Sequence, residues 1–381
     1  MHFGLTEEQE MIRNMARQFA SDIREEAQKA EDEGVFSREL AGKLARNGFL
    51  GMCVPEEYGG QEMDFLSYLI ATEEISRAAA GQGMLVGLHN SLLNFPLQHF
   101  GTEEQKRKYL VGSATGALLG CYALTEPEAG SNATNLKTIA RKDGDDYVIN
   151  GRKIFITNGS VADFVILFAR LERNGKLTRH VSAFLIDKGT PGFSVGTVEQ
   201  KMGLKSSPTA ELIFEDVKVG PESLLGPEGK GLRVGVDTLH GGRIAVAASG
   251  VGMAEEAFVC ARAYALEREQ YGHKIADFQG IQWMLADMRT EIDMARLVTY
   301  DAGWRKQEGL PYARQASQAK LVATETATRC AGRAIQIHGG YGYMREYRME
   351  QIYRDAKAAE IFEGTSEVQR STIGRDVLKG D

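Results

Sequence analysis

Apolar positions recur at helical spacing over the first 115 or so residues. Thr6 and Gln9 have the spacing of a capping box, and Ile12, Met15, Ala16 and Phe19 follow on one helical face. A second amphipathic stretch runs from about Ser37 to Leu50, with Pro55 and Gly59-Gly60 as punctuation after it. Residues 62–80 read as one long helix, and Thr102 with Gln105 makes another capping box ahead of Lys106–Leu110. The period changes near Thr115. Two strand-like runs meet at Asn150-Gly151, which predicts a hairpin; Val165–Arg170 and Val181–Ile186 flank Asn174-Gly175, which predicts a second. Leu212–Val219 continues the strand character, so residues 120–225 read as an antiparallel β domain of sandwich or barrel type. From Gly231 the helical period returns in three long runs, Ile244–Glu267, Phe278–Lys306 and Tyr312–His338, with alanine-rich faces; a fourth helix starts near Ser366. The pattern predicts an α+β protein in three parts. These are an all-helical N-terminal domain (1–119), a central antiparallel β domain (120–230) and a C-terminal four-helix bundle (231–381).

Composition narrows the function classes. The chain has 381 residues, 43% hydrophobic and 25% charged, as in ordinary globular proteins with room for two or three domains. A net charge of −7 without a dense Lys/Arg cluster argues against nucleic acid as a partner. No apolar run in the sequence reads as a membrane span of about 18 residues. The start lacks a basic and apolar leader, which fits a bacterial cytoplasmic protein, or a processed form in the mitochondrial matrix. Cys53, Cys121, Cys260 and Cys330 lack C-x-x-C spacing and read as reduced thiols.

Several familiar chemistries are missing. Gly250-Val-Gly-Met lacks the third glycine of a dinucleotide fingerprint and lies inside a helix rather than after a strand, so its glycines read as packing residues. There is no Walker sequence and no G-x-S-x-G elbow, and the seven histidines have no metal-ligand spacing.

The stretch Ile361-Phe-Glu-Gly-Thr-Ser-Glu-Val-Gln-Arg370 carries chemistry instead. Glu363 follows two apolar residues and precedes a glycine, and Ser366 with Gln369 has capping-box spacing, so a helix is expected to begin just after the glycine. The apolar wall raises the pKa of Glu363 while the helix N-terminus lowers it, which suits a general base. The bland alternative is a glutamate that complements the helix dipole. Four more stretches stand out: Tyr122–Ser131, Phe155–Gly159, Glu267–Gly272 with Phe278-Gln279, and Gln336–Tyr343. Each has an ordinary reading alone. Arg268 can be a surface cation, Gly339-Gly340 a helix C-cap, and Thr125 and Thr157 plain strand threonines.

Together and in this order, the five stretches resemble the acyl-CoA dehydrogenase family of flavoenzymes over essentially the whole chain. The resemblance implies FAD as cofactor. Tyr122, Leu124, Thr125, Gly130 and Ser131 would line the flavin. Phe155, Ile156 and Thr157 would cover its other face, with phenylalanine where relatives usually carry tryptophan. Arg268, Gln279, Gln336, Gly339 and Gly340 would reach the pyrophosphate and adenosine from a neighbouring subunit, an arginine suiting a diphosphate by its planar fork. Thr365, Ser366 and Glu367 would also touch FAD. A shared site implies an oligomer, commonly a homotetramer built as a dimer of dimers.

Ser131, His240, Arg243 and Gly364 would contact the acyl-CoA thioester. His240 replaces the family's aspartate on the pantetheine arm, which points either to another carrier, such as an acyl carrier protein, or to a tolerated substitution. The base would be Glu363; the alternative base position of some relatives is Gly242 here. The reaction implied is α-proton removal by Glu363 with hydride transfer to flavin N5, giving a trans-2-enoyl thioester. Electrons would pass to electron transfer flavoprotein. An enoyl-thioester reductase on the same fold is the nearest rival. A flavin monooxygenase or a non-enzymatic scaffold would not need the intact Glu363 turn.

Overall fold

The structure, a computed structural model, describes residues 4–173 and 175–380. The N-terminal part is helical: α1 (Glu7–Asp22), α2 (Arg24–Glu33), α3 (Arg38–Arg46), α4 (Phe65–Ala78), α5 (Ala80–Gly87), a π-helical Leu88–Asn94, α6 (Phe95–Phe100), α7 (Glu103–Gln105) and α8 (Val111–Ala114). Both expected capping boxes form, at Thr6 and at Thr102. The single helix expected over 62–80 is corrected. Asp64 caps α4, and the helix stops at Ala78 because Ala79 leaves the helical region at φ −151° and ψ 88°.

Eight strands follow: β1 (Gly120–Ala123), β2 (Ile139–Asp143), β3 (Asp146–Thr157), β4 (Phe164–Arg173), β5 (Lys176–Asp187), β6 (Phe193–Val198), β7 (Thr209–Val219) and β8 (Leu224–Leu225). They form one sheet in the order β6-β7-β3-β2-β4-β5-β8, with β1 also on β4. The β1–β4 and β2–β4 pairings are parallel and the others antiparallel.

The hairpin expected at Asn150-Gly151 does not exist. The chain continues through both residues as β3, with a register shift against β7 between Ile149 and Gly151. Glycine serves a close approach there, since a Cβ on Gly151 would lie 2.5 Å from Thr138 Oγ1. The actual turn joins Asp143 to Asp146 and contains Gly144 at φ 65°. The second expected turn does connect β4 to β5, with Arg173 opposite Lys176 and Gly175 at φ 71°; Asn174 itself lies outside the described residues.

The sheet curls around its own core. Tyr147 on β3 and Phe184 on β5 have ring centroids 5.1 Å apart, although β2 and β4 lie between their strands. In a flat sheet three strand spacings would separate them by roughly 14 Å. Alternate residues of β4 serve two cores: Val165, Leu167 and Ala169 face inward, while Phe164, Ile166 and Phe168 pack towards the helices.

The C-terminal part contains α9 (Gly231–Glu267), α10 (Gln279–Gln307), α11 (Ala313–His338), α12 (Met349–Ala359) and α13 (Ser366–Val377). A two-stranded ribbon, β9 (Glu269–Gln270) and β10 (His273–Lys274), lies between α9 and α10. α9, α10 and α11 pack pairwise, and both α12 and α13 lie on α11. The sequence pattern missed α12 and began α9 too late. By length and composition α9 could cross a membrane, against the reading that no run qualifies, but 78% of its most apolar window is buried in protein. It is the central core helix, between α4 and α11. Gly250 and Gly252 are packing glycines: added Cβ atoms would lie 3.1 Å from the Ala323 backbone and 2.3 Å from the Glu73 carbonyl.

Candidate active site

Glu363 sits in the turn between α12 and α13, with left-handed backbone at φ 53°, followed by Gly364 at φ 95°. A left-handed glutamate is uncommon and needs the surroundings to hold it. Here the carbonyls of Glu363 and Gly364 are both engaged. Gln369 Nε2 donates to the carbonyls of Glu363 (3.3 Å) and Gly364 (2.8 Å), and Lys320 Nζ donates to that of Gly364 at 2.6 Å. Ser366 N–H donates to the Glu360 carbonyl. The expected Ser366–Gln369 capping box is corrected. Thr365 is the cap, its hydroxyl accepting from Val368 N–H, while Ser366 Oγ is buried without a partner and Gln369 bonds the turn instead. The helix itself starts at Ser366, as expected, and the cap lies one residue earlier than the predicted box.

The carboxylate lies over Gly242 of α9. A Cβ on Gly242 would be 2.2 Å from Glu363 Oε2 and 2.9 Å from Leu92 Cδ2. The residue is half-buried as a whole, but Oε2 is fully buried and has no hydrogen-bond partner. Burial pushes the Glu363 carboxyl up from 4.5 to about 7, against the opposing charges of Lys320 and Arg243. Its backbone N–H makes no hydrogen bond among the described residues. A naked carboxylate titrating near neutrality beside a free N–H donor can accept a proton while an adjacent carbonyl is polarised.

Arg243, one residue beyond Gly242, is half-buried, and its guanidinium Nε is buried without a partner. Its Nη1 reaches Ser317 Oγ at 3.3 Å and His240 Nδ1 at 3.5 Å. Burial, then the Arg243 charge, depress His240 to about 4, so the imidazole is neutral at physiological pH. Its ring meets Tyr312 edge-on at 6.1 Å.

The β-domain candidates form a second group. Tyr122 is buried, its hydroxyl donating to the Gly235 carbonyl of α9 at 3.3 Å. Leu124 and Thr125 are half-buried and tied to β3: Lys153 Nζ donates to the Leu124 carbonyl, and Ile154 N–H to that of Thr125. Gly130 and Ser131 lie on an exposed loop. Phe155 has left-handed backbone at φ 59° and is 61% exposed, beside half-buried Thr157. The Ile156 side chain belongs to the sheet core, leaving only its backbone for a ligand.

A third group lies at the far end of α9. Arg268, Gly339 and Gly340 line a cavity of about 470 Å³, with the Arg268 guanidinium 5.6 Å from the Tyr341 ring. Arg268 has no ion pair among the described residues, and nothing stands within 4 Å of where Cβ atoms on the two glycines would lie. Gln279 and Gln336 are exposed, as is Glu367. An exposed flat ring and an open cavity with a free guanidinium fit a planar ring system and an anionic diphosphate. Sequence reasoning missed Lys320, Gln369 as a holder of the turn, and Ser317. A lysine among Ala316, Ala319 and Ala323 on the buried stripe of α11 was the available signal for the first.

The chain matches three family models: Acyl-CoA dehydrogenase, N-terminal domain over residues 6–117, middle domain over 121–217 and C-terminal domain over 229–378. It belongs to the acyl-CoA dehydrogenase family, and so is an oxidoreductase. It is 47% identical over 380 residues to "acyl-CoA dehydrogenase, short-chain specific" of Clostridium acetobutylicum, covering 100% of both chains. It is 43% identical over 382 residues to "acryloyl-CoA reductase (NADH)" of Anaerotignum propionicum, covering 100% of this chain and 96% of that one. Among solved structures it is similar to a chain of "Electron transferring flavoprotein of Acidaminococcus fermentans", with 45% identity, a TM-score of 0.96 and 100% of both chains covered.

Proposed function

We propose that the chain is an FAD-dependent dehydrogenase of short acyl-CoA thioesters, with Glu363 as general base. The observation that carries this reading is the buried, unpartnered Glu363 Oε2, lifted to about 7 and poised over the glycine of α9. Glu363 takes the α-proton on that oxygen. Its free N–H polarises the thioester carbonyl, so charge developing on the enolate meets a fixed donor. Gly364 and Gly242 leave room for the substrate beside the turn. Bound FAD supplies the hydride acceptor for the β-carbon. Phe155 and Thr157 would cover one face of its ring and the Thr125–Ser131 segment would hold the other side, while Arg268 and Gly339-Gly340 would take the diphosphate and adenosine from a second copy. Thr365, Ser366 and Glu367 complete the contacts.

The short-chain assignment draws on the Clostridium acetobutylicum relative, and electron transfer flavoprotein as acceptor on the Acidaminococcus fermentans structure. Homotetramer and cytoplasmic location belong to the same reading. His240, neutral beside Arg243, replaces the aspartate with an uncharged contact, so the proposal keeps CoA as carrier. A second reading is favoured by the acryloyl-CoA reductase relative, namely the same site run towards enoyl-thioester reduction.

The test is anaerobic titration of the purified yellow protein with acyl-CoA thioesters of increasing length, following flavin absorbance. Bleaching by butyryl-CoA with little response to long chains is the expected result. Absence of bleaching by every thioester, with reoxidation of reduced protein by crotonyl-CoA, would favour the reductase.

A further inference from the structure

We propose that Lys320 is a positioning residue for Glu363: it clamps the turn that carries the carboxylate and supplies the positive charge that lets the carboxylate ionise inside its pocket. This rests on reading Glu363 as the base, but it concerns an ionisation that can be measured without turnover.

Lys320 lies on α11 with its side chain fully buried, and it makes no ion pair among the described residues. A buried ammonium without a counter-ion is costly, so its presence needs a compensating interaction. Its one hydrogen bond goes to the Gly364 carbonyl, at 2.6 Å. That carbonyl already accepts from the neutral amide of Gln369 at 2.8 Å. One neutral donor thus engages the carbonyl, and what Lys320 adds is a second clamp that carries charge.

The carboxylate that most raises the Lys320 ammonium is Glu363, and Lys320 is in turn the largest charge opposing the burial of Glu363. The other groups facing Glu363 are Arg243 from α9, Tyr68 from α4 and Tyr122 from β1. Both tyrosines are buried and neutral, and Arg243 is tied to Ser317 and leans on His240. Lys320 is the cation bonded to the catalytic turn itself. Burial brings its ammonium down to about 8, so it is charged over the range in which Glu363 titrates.

The experiment uses the holoenzyme labelled with ¹³C at glutamate carboxyls. A difference spectrum against Glu363→Gln assigns the Glu363 carboxyl, and its chemical shift is followed with pH in wild type, Lys320→Met and Lys320→Arg. Methionine fills the lysine volume and leaves Gln369 on Gly364, so the turn is expected to persist. The Glu363 midpoint should rise by about one pH unit or more in Lys320→Met, the usual effect of losing a nearby opposite charge, and stay near wild type in Lys320→Arg. The pH profile of flavin reduction by butyryl-CoA should move alkaline in step. An unchanged carboxyl midpoint in Lys320→Met overturns the proposal, even if the rate falls. If the midpoint moves while Glu363→Gln still reduces flavin normally, the Lys320 role stands and the base assignment fails.

Discussion

Glu363 is held in a state that costs the fold stability above neutral pH. Its carboxyl titrates at about 7 in the folded protein against an ordinary 4.5, because burial penalises the charged form. A raised folded pKa means that the contribution is fully present below 4.5 and is lost as pH rises through 7. Glu363→Gln should therefore match wild type in thermal stability at pH 4. At pH 9 it should be more stable by on the order of 2 kcal/mol, after discounting for the partial exposure of the residue. Parallel stability curves for the two proteins across that range would refute the buried ionisation. The same variant should lose at least about three orders of magnitude in the rate of flavin reduction, a general-base effect or somewhat more. The sequence pointed to this residue because apolar neighbours, a glycine and capping residues cluster within a few positions. It misplaced the cap because Thr365 and Ser366 are both capping types, and only the backbone at Gly364 decides which one faces the first turn. Lys320 was harder to see, since a lysine in an alanine stripe shows no partner until α11 is laid beside the turn.

Among the elements, β3 ties the exposed loop carrying Gly130 and Ser131 to the sheet. The Lys153–Glu126 pair, at 2.7 Å with both side chains essentially fully buried, does this. Lys153 also holds the Leu124 carbonyl, and Glu126 accepts from the N–H groups of Lys137 and Thr138. Lys153→Met would strand a buried carboxylate and should destabilise the β domain by about 3–5 kcal/mol. Lys153→Met with Glu126→Gln should recover most of that, because the charge is gone and the amide can still bond. Denaturant unfolding of the single and double variants checks this; equal losses in both would show that the pair's charge is irrelevant. Helices were more legible than strands. The α1 and α7 caps were readable because each capping box is local, spanning four residues. The Asn150-Gly151 dipeptide misled because its glycine answers to Thr138 on the neighbouring strand, a contact absent from local sequence. The break after Ala78 was missed because no glycine or proline marks it there.

In the whole molecule, the proposed base and the proposed diphosphate site stand at opposite ends of one helix. Glu363 lies over Gly242, and Arg268 follows the end of the same continuous helix, α9. At the α-helical rise the interval from residue 242 to residue 268 spans roughly 39 Å along the axis, and on the proposed reading the dinucleotide's two ends would be met by different copies. The resemblance already implied that Arg268 reaches the cofactor from a neighbouring subunit, but the separation along α9 was not legible, because the helix pattern was read only from Ile244. A shared site has a specific genetic consequence. Arg268→Ala alone should lose FAD on gel filtration, and Glu363→Gln alone should keep FAD but lose activity. When both variants are expressed together, a mixed assembly places intact Glu363 from one chain beside intact Arg268 from the other. With random pairing into symmetric dimers, about a quarter of the sites should be fully competent. Separately purified variants mixed without subunit exchange should stay inactive, and activity should appear only in the co-expressed, heteromeric fraction. A site contained within one chain would give no recovery in that fraction, since every chain there carries one lesion.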